Sequence, residues 1–167
     1  PFNNVEVPLF IADYVLTGSW GKKALKEAKK VGNVNVAATM ADGGFTRTPG
    51  NDEMSLNPNA AYVHITTNET IEGVQWKHEP DAASVPLVAD ASSDILSHAI
   101  PVDKYALIYA GAQKNMGPSG VTLVIIRDDL LQRIPDGLHT MLDYRTHVEN
   151  NSLYNTPNTW GIYIISL

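Results

Sequence analysis

The chain contains no cysteine, which removes disulfides and thiolate chemistry and leaves the redox compartment undecided. Positive charge is also scarce: 12 Lys and Arg face 18 Asp and Glu, a formal net charge of −6. No nucleic-acid partner is expected, because phosphate binding calls for a basic face. No apolar stretch approaches the length of a bilayer span, so no membrane partner is expected either. Nothing at the start reads as a signal peptide, which leaves open what precedes Pro1. Walker, G-x-S-x-G and G-x-G-x-x-G signatures are missing, which disfavours nucleotide and serine-hydrolase readings. His64, His78, His98, His139 and His147 show no metal-ligand spacing, so no metal is assigned. His147 is read as structural.

What is present is the raw material of one α/β domain. Hydrophobic residues make up 44% of the 167, enough for a sizeable core. Runs rich in β-branched and aromatic residues predict strands over 13–16, 33–38, 60–66, 85–89, 105–110 and 121–127. Lys22, Lys23, Lys26, Lys29 and Lys30 share a predicted helix with Ala24, Leu25, Ala28 and Val31, which form its apolar side. Gly32 is well placed to end it, and the lysines read as a solvated face. Residues 40–59, rich in Gly, Pro, Asn and Asp, predict an irregular surface loop. No repeat or low-complexity tract appears.

Connection lengths then order the strands. The 14 residues 91–104 suffice for the crossover between two parallel strands, whereas the ten residues 111–120 leave no room for one. The last strand should therefore run antiparallel to its predecessor, in an otherwise mostly parallel sheet with helices on both faces. Parallel strands put their carboxyl ends on one edge, where open α/β sheets bind ligands.

Two charged residues reach that edge. Asp90 closes the apolar run Val85-Pro86-Leu87-Val88-Ala89, and a buried carboxylate must find a cation or donors. Lys114 follows Tyr105-Ala106-Leu107-Ile108-Tyr109-Ala110 in a loop of small residues. A lysine that condenses with an aldehyde needs a desolvated, closely approached site. An acid and an amine in one crevice suit a pyridoxal phosphate enzyme, with lysine on the aldehyde and aspartate on the ring nitrogen. The spacing fits a structural Asp90–Lys114 ion pair equally well.

A resemblance separates those readings. Asp90-Ala91-Ser92-Ser93, Tyr109-Ala110-Gly111-Ala112-Gln113-Lys114-Asn115, Gly117-Pro118-Ser119-Gly120-Val121-Thr122 and Ser152-Leu153-Tyr154-Asn155-Thr156-Pro157 resemble the phosphoserine aminotransferases. So do Ala12-Asp13-Tyr14-Val15, Thr17-Gly18-Ser19-Trp20 and Asn68-Glu69-Thr70-Ile71-Glu72-Gly73, all in the family's order. The resemblance implies the large domain of a fold-type I enzyme dependent on pyridoxal 5'-phosphate. It implies Lys114 as the catalytic, cofactor-bearing residue and Asp90 on the ring nitrogen. Trp20 would lie over the ring, Thr70 beside its phenolic oxygen and Gln113 near its phosphate. Asn155 and Thr156 would reach the phosphate in the partner subunit, which makes a homodimer with a composite site. Without the family, Trp20 would be core, Thr70 an N-cap, and Asn155 and Thr156 turn residues.

The implied reaction moves the amino group of L-glutamate to 3-phosphohydroxypyruvate, giving O-phospho-L-serine and 2-oxoglutarate, in cytoplasmic serine biosynthesis. A charge about 4 Å from the ring nitrogen is worth roughly 4 kcal/mol at an effective dielectric near 20, or around three pK units before desolvation subtracts. Members of the family are about twice as long. Residues 1–167 therefore read as a partial cofactor-binding large domain, without the N-terminal segment or the small C-terminal domain, and inactive alone. The groups that bind substrate carboxylate and phosphate would lie outside it. Departures are Ser97-His98-Ala99, Asn158 and the poorly matching Pro1 to Asn4. The rival readings are another fold-type I enzyme, such as an alanine–glyoxylate aminotransferase or cysteine desulfurase, and an incompetent fragment that serves only folding or assembly.

Overall fold

The computed structural model describes residues 10–167; the poorly matching Pro1 to Asn4 lie outside them. A six-stranded sheet has the order β2-β1-β3-β6-β7-β8, built from β1 (Ile11–Leu16), β2 (Asn33–Thr39), β3 (Val63–Thr66), β6 (Leu87–Asp90), β7 (Leu107–Gly111) and β8 (Thr122–Ile126). All neighbours are parallel except β7 and β8. The short connection does force that reversal. β4 (Asn68–Glu69) and β5 (Val74–Gln75) form a separate antiparallel hairpin.

Four interior strands carry most of the core because their side chains are apolar on both faces, as a covered parallel sheet requires. Val15, Val63, Ile65, Leu87, Ala89 and Ile108 make one cluster. Its cover comes from loops: Met40, Met54, Leu56, Trp76 and Ile100 pack against it. On the opposite face Ala12, Tyr14 and Leu16 meet Leu25 of α1 (Ser19–Ala28). The 91–104 crossover contains turns and a 3-10 turn at Val102–Lys104, with no α-helix. Residues 40–59 are irregular but for a 3-10 turn at Asn51–Glu53.

The first helix is shorter than its periodicity predicts. It stops at Ala28, and Val31 and Gly32 donate back to the Ala28 carbonyl through a closing turn. Val31, expected on the apolar side, is exposed as a result. The five lysines are exposed, as a solvated face demands. Beyond β8 come α2 (Asp128–Leu131), α3 (Tyr144–Glu149) and α4 (Thr159–Ile165). His147 lies on α3 and bonds the Met141 carbonyl, which is a structural role.

Candidate active site

The carboxyl edge of the parallel strands gathers the charged and polar groups. Thr66, Asp90 and Tyr109 are register partners across β3, β6 and β7, so their side chains share one face at that edge. Past the strand ends, a pocket is lined by Trp20, Thr66, Asn68, Asp90, Ser92, Ser93, Gln113 and Lys114. Thr70 joins it through its hydroxyl, which bonds both Ser93 and Lys114.

Lys114 Nζ donates to Thr70 Oγ1 at 2.5 Å and Ser93 Oγ at 2.9 Å, and stands 5.0 Å from the centre of the Trp20 ring. Among the described residues no ion pair joins it to Asp90, so the structural-pair alternative is not what forms. The expectation of a desolvated amine is not met within this chain: Lys114 is exposed. Its loop stands past the end of β7, at the carboxyl edge of the sheet.

Asp90 is half-buried, and its Oδ1 accepts from the Ser92 amide at 3.0 Å. Its backbone carbonyl accepts from Thr67 N and Thr67 Oγ1, which fastens β6 to the turn after β3. Ser92 Oγ accepts from Gly111 N at 3.0 Å, so the Asp90 and Lys114 loops are tied together at their bases.

Two carboxylates set the Trp20 and Thr70 positions, and no sequence argument assigned them a role. The helix α1 begins without a side-chain cap of its own; Gly18 occupies the N-cap. Glu69, fully buried, accepts from Trp20 N and Gly21 N at 2.8 Å each. Glu72 accepts from Ser19 N at 2.9 Å and from the Ser19 hydroxyl. A helix N-terminus offers unpaired N–H groups and a partial positive charge, so an acidic group is at home there. Burial raises the Glu69 carboxyl above its usual range, while the two amide donors pull the other way. Thr70 follows Glu69 in the hairpin turn and is not an N-cap. A helix start with no Asp, Asn or bonded Ser was the only hint that a cap must arrive from elsewhere.

Trp20, the second residue of α1, is 36% exposed, with Lys23 Nζ 4.1 Å from its ring centre. That exposure sets aside the core alternative. Gln113 is exposed at the pocket rim. Asn155 and Thr156 are exposed in the turn before α4; among the described residues they bond only each other and do not line the pocket.

Residues 12–167 match the family model for class-V aminotransferases. The chain belongs to the class-V aminotransferase family. It is 61% identical over 157 residues to a phosphoserine aminotransferase of Geobacillus kaustophilus, covering 94% of this chain and 43% of that protein. A phosphoserine aminotransferase structure from Bacillus circulans subsp. alkalophilus superposes with a TM-score of 0.90 at 55% identity. The match covers 93% of this chain and 43% of that one. The PLP-bound phosphoserine aminotransferase of Trichomonas vaginalis matches with a TM-score of 0.85 at 38% identity, over 95% and 45% of the two chains. The chain thus spans less than half the length of these class-V relatives. Among the described residues no helix is long and apolar enough to cross a membrane, and no cluster of His, Asp and Glu could hold a metal.

Proposed function

We propose that this chain is the central part of the large domain of a phosphoserine aminotransferase. In this reading the whole enzyme moves the amino group of L-glutamate to 3-phosphohydroxypyruvate, as a cytoplasmic homodimer in serine biosynthesis. The observation that carries the reading is the single pocket shared by Lys114, Asp90, Trp20 and Thr70 at the carboxyl edge of the sheet.

The residues present fit pyridoxal phosphate. Thr66 Oγ1 is buried beside the pocket without a partner among the described residues, and the Asp90 carboxylate has acceptor capacity beyond its bond to Ser92. When bound, the cofactor supplies a protonated ring that accepts electron density from the substrate α-carbon. Lys114 Nζ provides the amine that holds the cofactor and, once freed, moves the proton at the substrate α-carbon. Its hydroxyl neighbours can accept from the ammonium or donate to the amine, so they support Nζ in either protonation state. Asp90 would face the ring nitrogen and offer it a negative charge. Trp20 offers a flat face, Thr70 a donor at the phenolic oxygen and Gln113 a polar group toward the phosphate. Asn155 and Thr156, remote from this pocket, would serve the phosphate of the partner subunit.

Borohydride reduction of the whole-length protein with pyridoxal phosphate tests the assignment. The cofactor mass is expected on the peptide containing Gln113-Lys114-Asn115; labelling of Lys77 or Lys104 instead would overturn it. Mixing Lys114→Ala and Asn155→Ala proteins tests the composite site. If Asn155 acts across the subunit boundary, one site of the mixed dimer carries both defects, the other carries neither, and activity partly returns.

A further inference from the structure

Beneath Asp90, on the α1 face of the sheet, lies a row of aromatic groups that the reaction as described does not use. His64 stacks on Tyr14 with ring centres 4.8 Å apart, and the Tyr14 hydroxyl meets that of Tyr62 at 3.1 Å. His64 Nε2 lies 2.9 Å from the Tyr109 hydroxyl. Tyr109 is the cross-strand partner of Asp90, and burial followed by the Asp90 charge raises its hydroxyl well above the usual range. His64 is 3% exposed, and its Nδ1 is sealed from solvent with no partner among the described residues.

The orphaned Nδ1 decides the direction of this row. Burial holds the imidazole neutral, with its pKa lowered to about 4. A neutral ring carries one N–H. If that hydrogen sat on Nδ1, a buried donor would be left unpaired, and Tyr109 would have to point its proton at Nε2. If it sits on Nε2, it donates to the Tyr109 oxygen, and only a lone pair goes unused. Buried donors without partners are the rarer and costlier case. The second arrangement also leaves the Tyr109 proton free to turn toward Asp90, its cross-strand partner.

We propose that His64 is a positioning residue: its Nε2–H fixes the Tyr109 hydroxyl so that the hydroxyl turns its proton to the carboxylate of Asp90, its cross-strand partner, and holds that side chain aimed at the pocket. This rests on the reading that Asp90 faces the ring nitrogen of pyridoxal phosphate. The carboxylate then accepts from the Ser92 amide and from Tyr109 and still has lone pairs for the ring nitrogen. Tyr14 stacks on the imidazole and bonds Tyr62 through its hydroxyl, which completes the row.

The test is nitrogen-15 NMR of histidine-labelled whole-length protein without cofactor, together with turnover of His64→Phe and His64→Gln. His64 should show a protonated Nε2 and an unprotonated Nδ1, whether or not the protein binds pyridoxal phosphate, so failure of the cofactor reading is seen separately. His64→Phe keeps a stacked ring but no donor, and should lower turnover about 10- to 100-fold, the worth of a hydrogen bond to a charged group. His64→Gln places an amide N–H near the same point and should recover much of the loss. A hydrogen on Nδ1, or unchanged turnover in a folded His64→Phe protein, would overturn the proposal.

Discussion

The segment from β1 to β7 and the segment from β8 onward have similar apolar content and opposite fates. In the first, Val63, Ile65, Ala89 and Ala110 lose all contact with solvent. In the second, Gly161 alone is buried, while Leu142, Leu153, Trp160 and Tyr163 are all more than half exposed. Apolar side chains gain stability only from area they remove from water. The first segment therefore supports its own fold; it carries Asp90, and Lys114 follows directly on its last strand. The second leaves its apolar surface exposed among the described residues, and it bears Asn155 and Thr156. The block that buries its own apolar residues holds Asp90, and the exposed one bears the two residues proposed to act across a subunit boundary.

The sharpest strike on the first segment alone is Asp90→Asn in the whole-length protein. It keeps the shape and removes a charge worth roughly 4 kcal/mol at close range, so turnover should fall by up to about three orders of magnitude. Cofactor binding should weaken much less, and near-normal turnover would make Asp90 a structural anchor. Next, Ile65→Ala empties a fully buried site and should destabilise the chain by about 2–5 kcal/mol, read from urea unfolding. A smaller loss would mean the sheet is looser than its burial indicates.

The third test varies pH. The folded His64 takes up a proton only near pH 4, against 6.5 for the ordinary group, because burial disfavours its charge. The unfolded chain binds that proton first as pH falls. Its contribution to stability is thus full above 6.5 and is lost as pH drops toward 4, by about 3 kcal/mol. His64→Gln should flatten that slope in urea unfolding measured across the window; a wild-type curve without the slope breaks the argument.

Glu69→Gln sets an amide N–H₂ against a backbone donor, with a cost of about 1–3 kcal/mol. Fluorescence of Trp20, followed with Trp76 and Trp160 replaced, should shift as the helix start loosens. The smallest effect belongs to the second segment. Trp160→Ser, at a side chain 68% exposed, should change the stability of the 167-residue chain by less than about 0.5 kcal/mol. In the whole-length protein it should cost more, and equal effects in both would erase the contrast between the two segments.

How far sequence reading reached follows from what each feature depends on. The strands were legible because Val63, Ile65, Leu87 and Ile108 are buried on covered strands that tolerate little else. The β7–β8 reversal followed from a ten-residue connection. Asp90, Lys114 and Trp20 line one pocket. The helix end was misjudged because the apolar spacing continues to Val31 although the chain has already turned at Lys29. Glu69 escaped because its partners, Trp20 and Gly21, lie 49 and 48 residues away, beyond any local capping pattern. The exposure of Lys114 was invisible too, since it depends on how much of the surrounding cleft this chain supplies.

The buried Glu69 carboxylate also limits how this site can vary. Thr70 is its chain neighbour, and Trp20 hangs from its Oε2. The ring and the hydroxyl therefore share one mounting, like two instruments bolted to the same bracket. A Cβ at Gly18 would fall 2.6 Å from the Glu69 Cδ, so even an alanine there would push the bracket and misalign both at once. Retuning the ring plane without disturbing Thr70 would have to begin beyond Gly21, in the body of the helix.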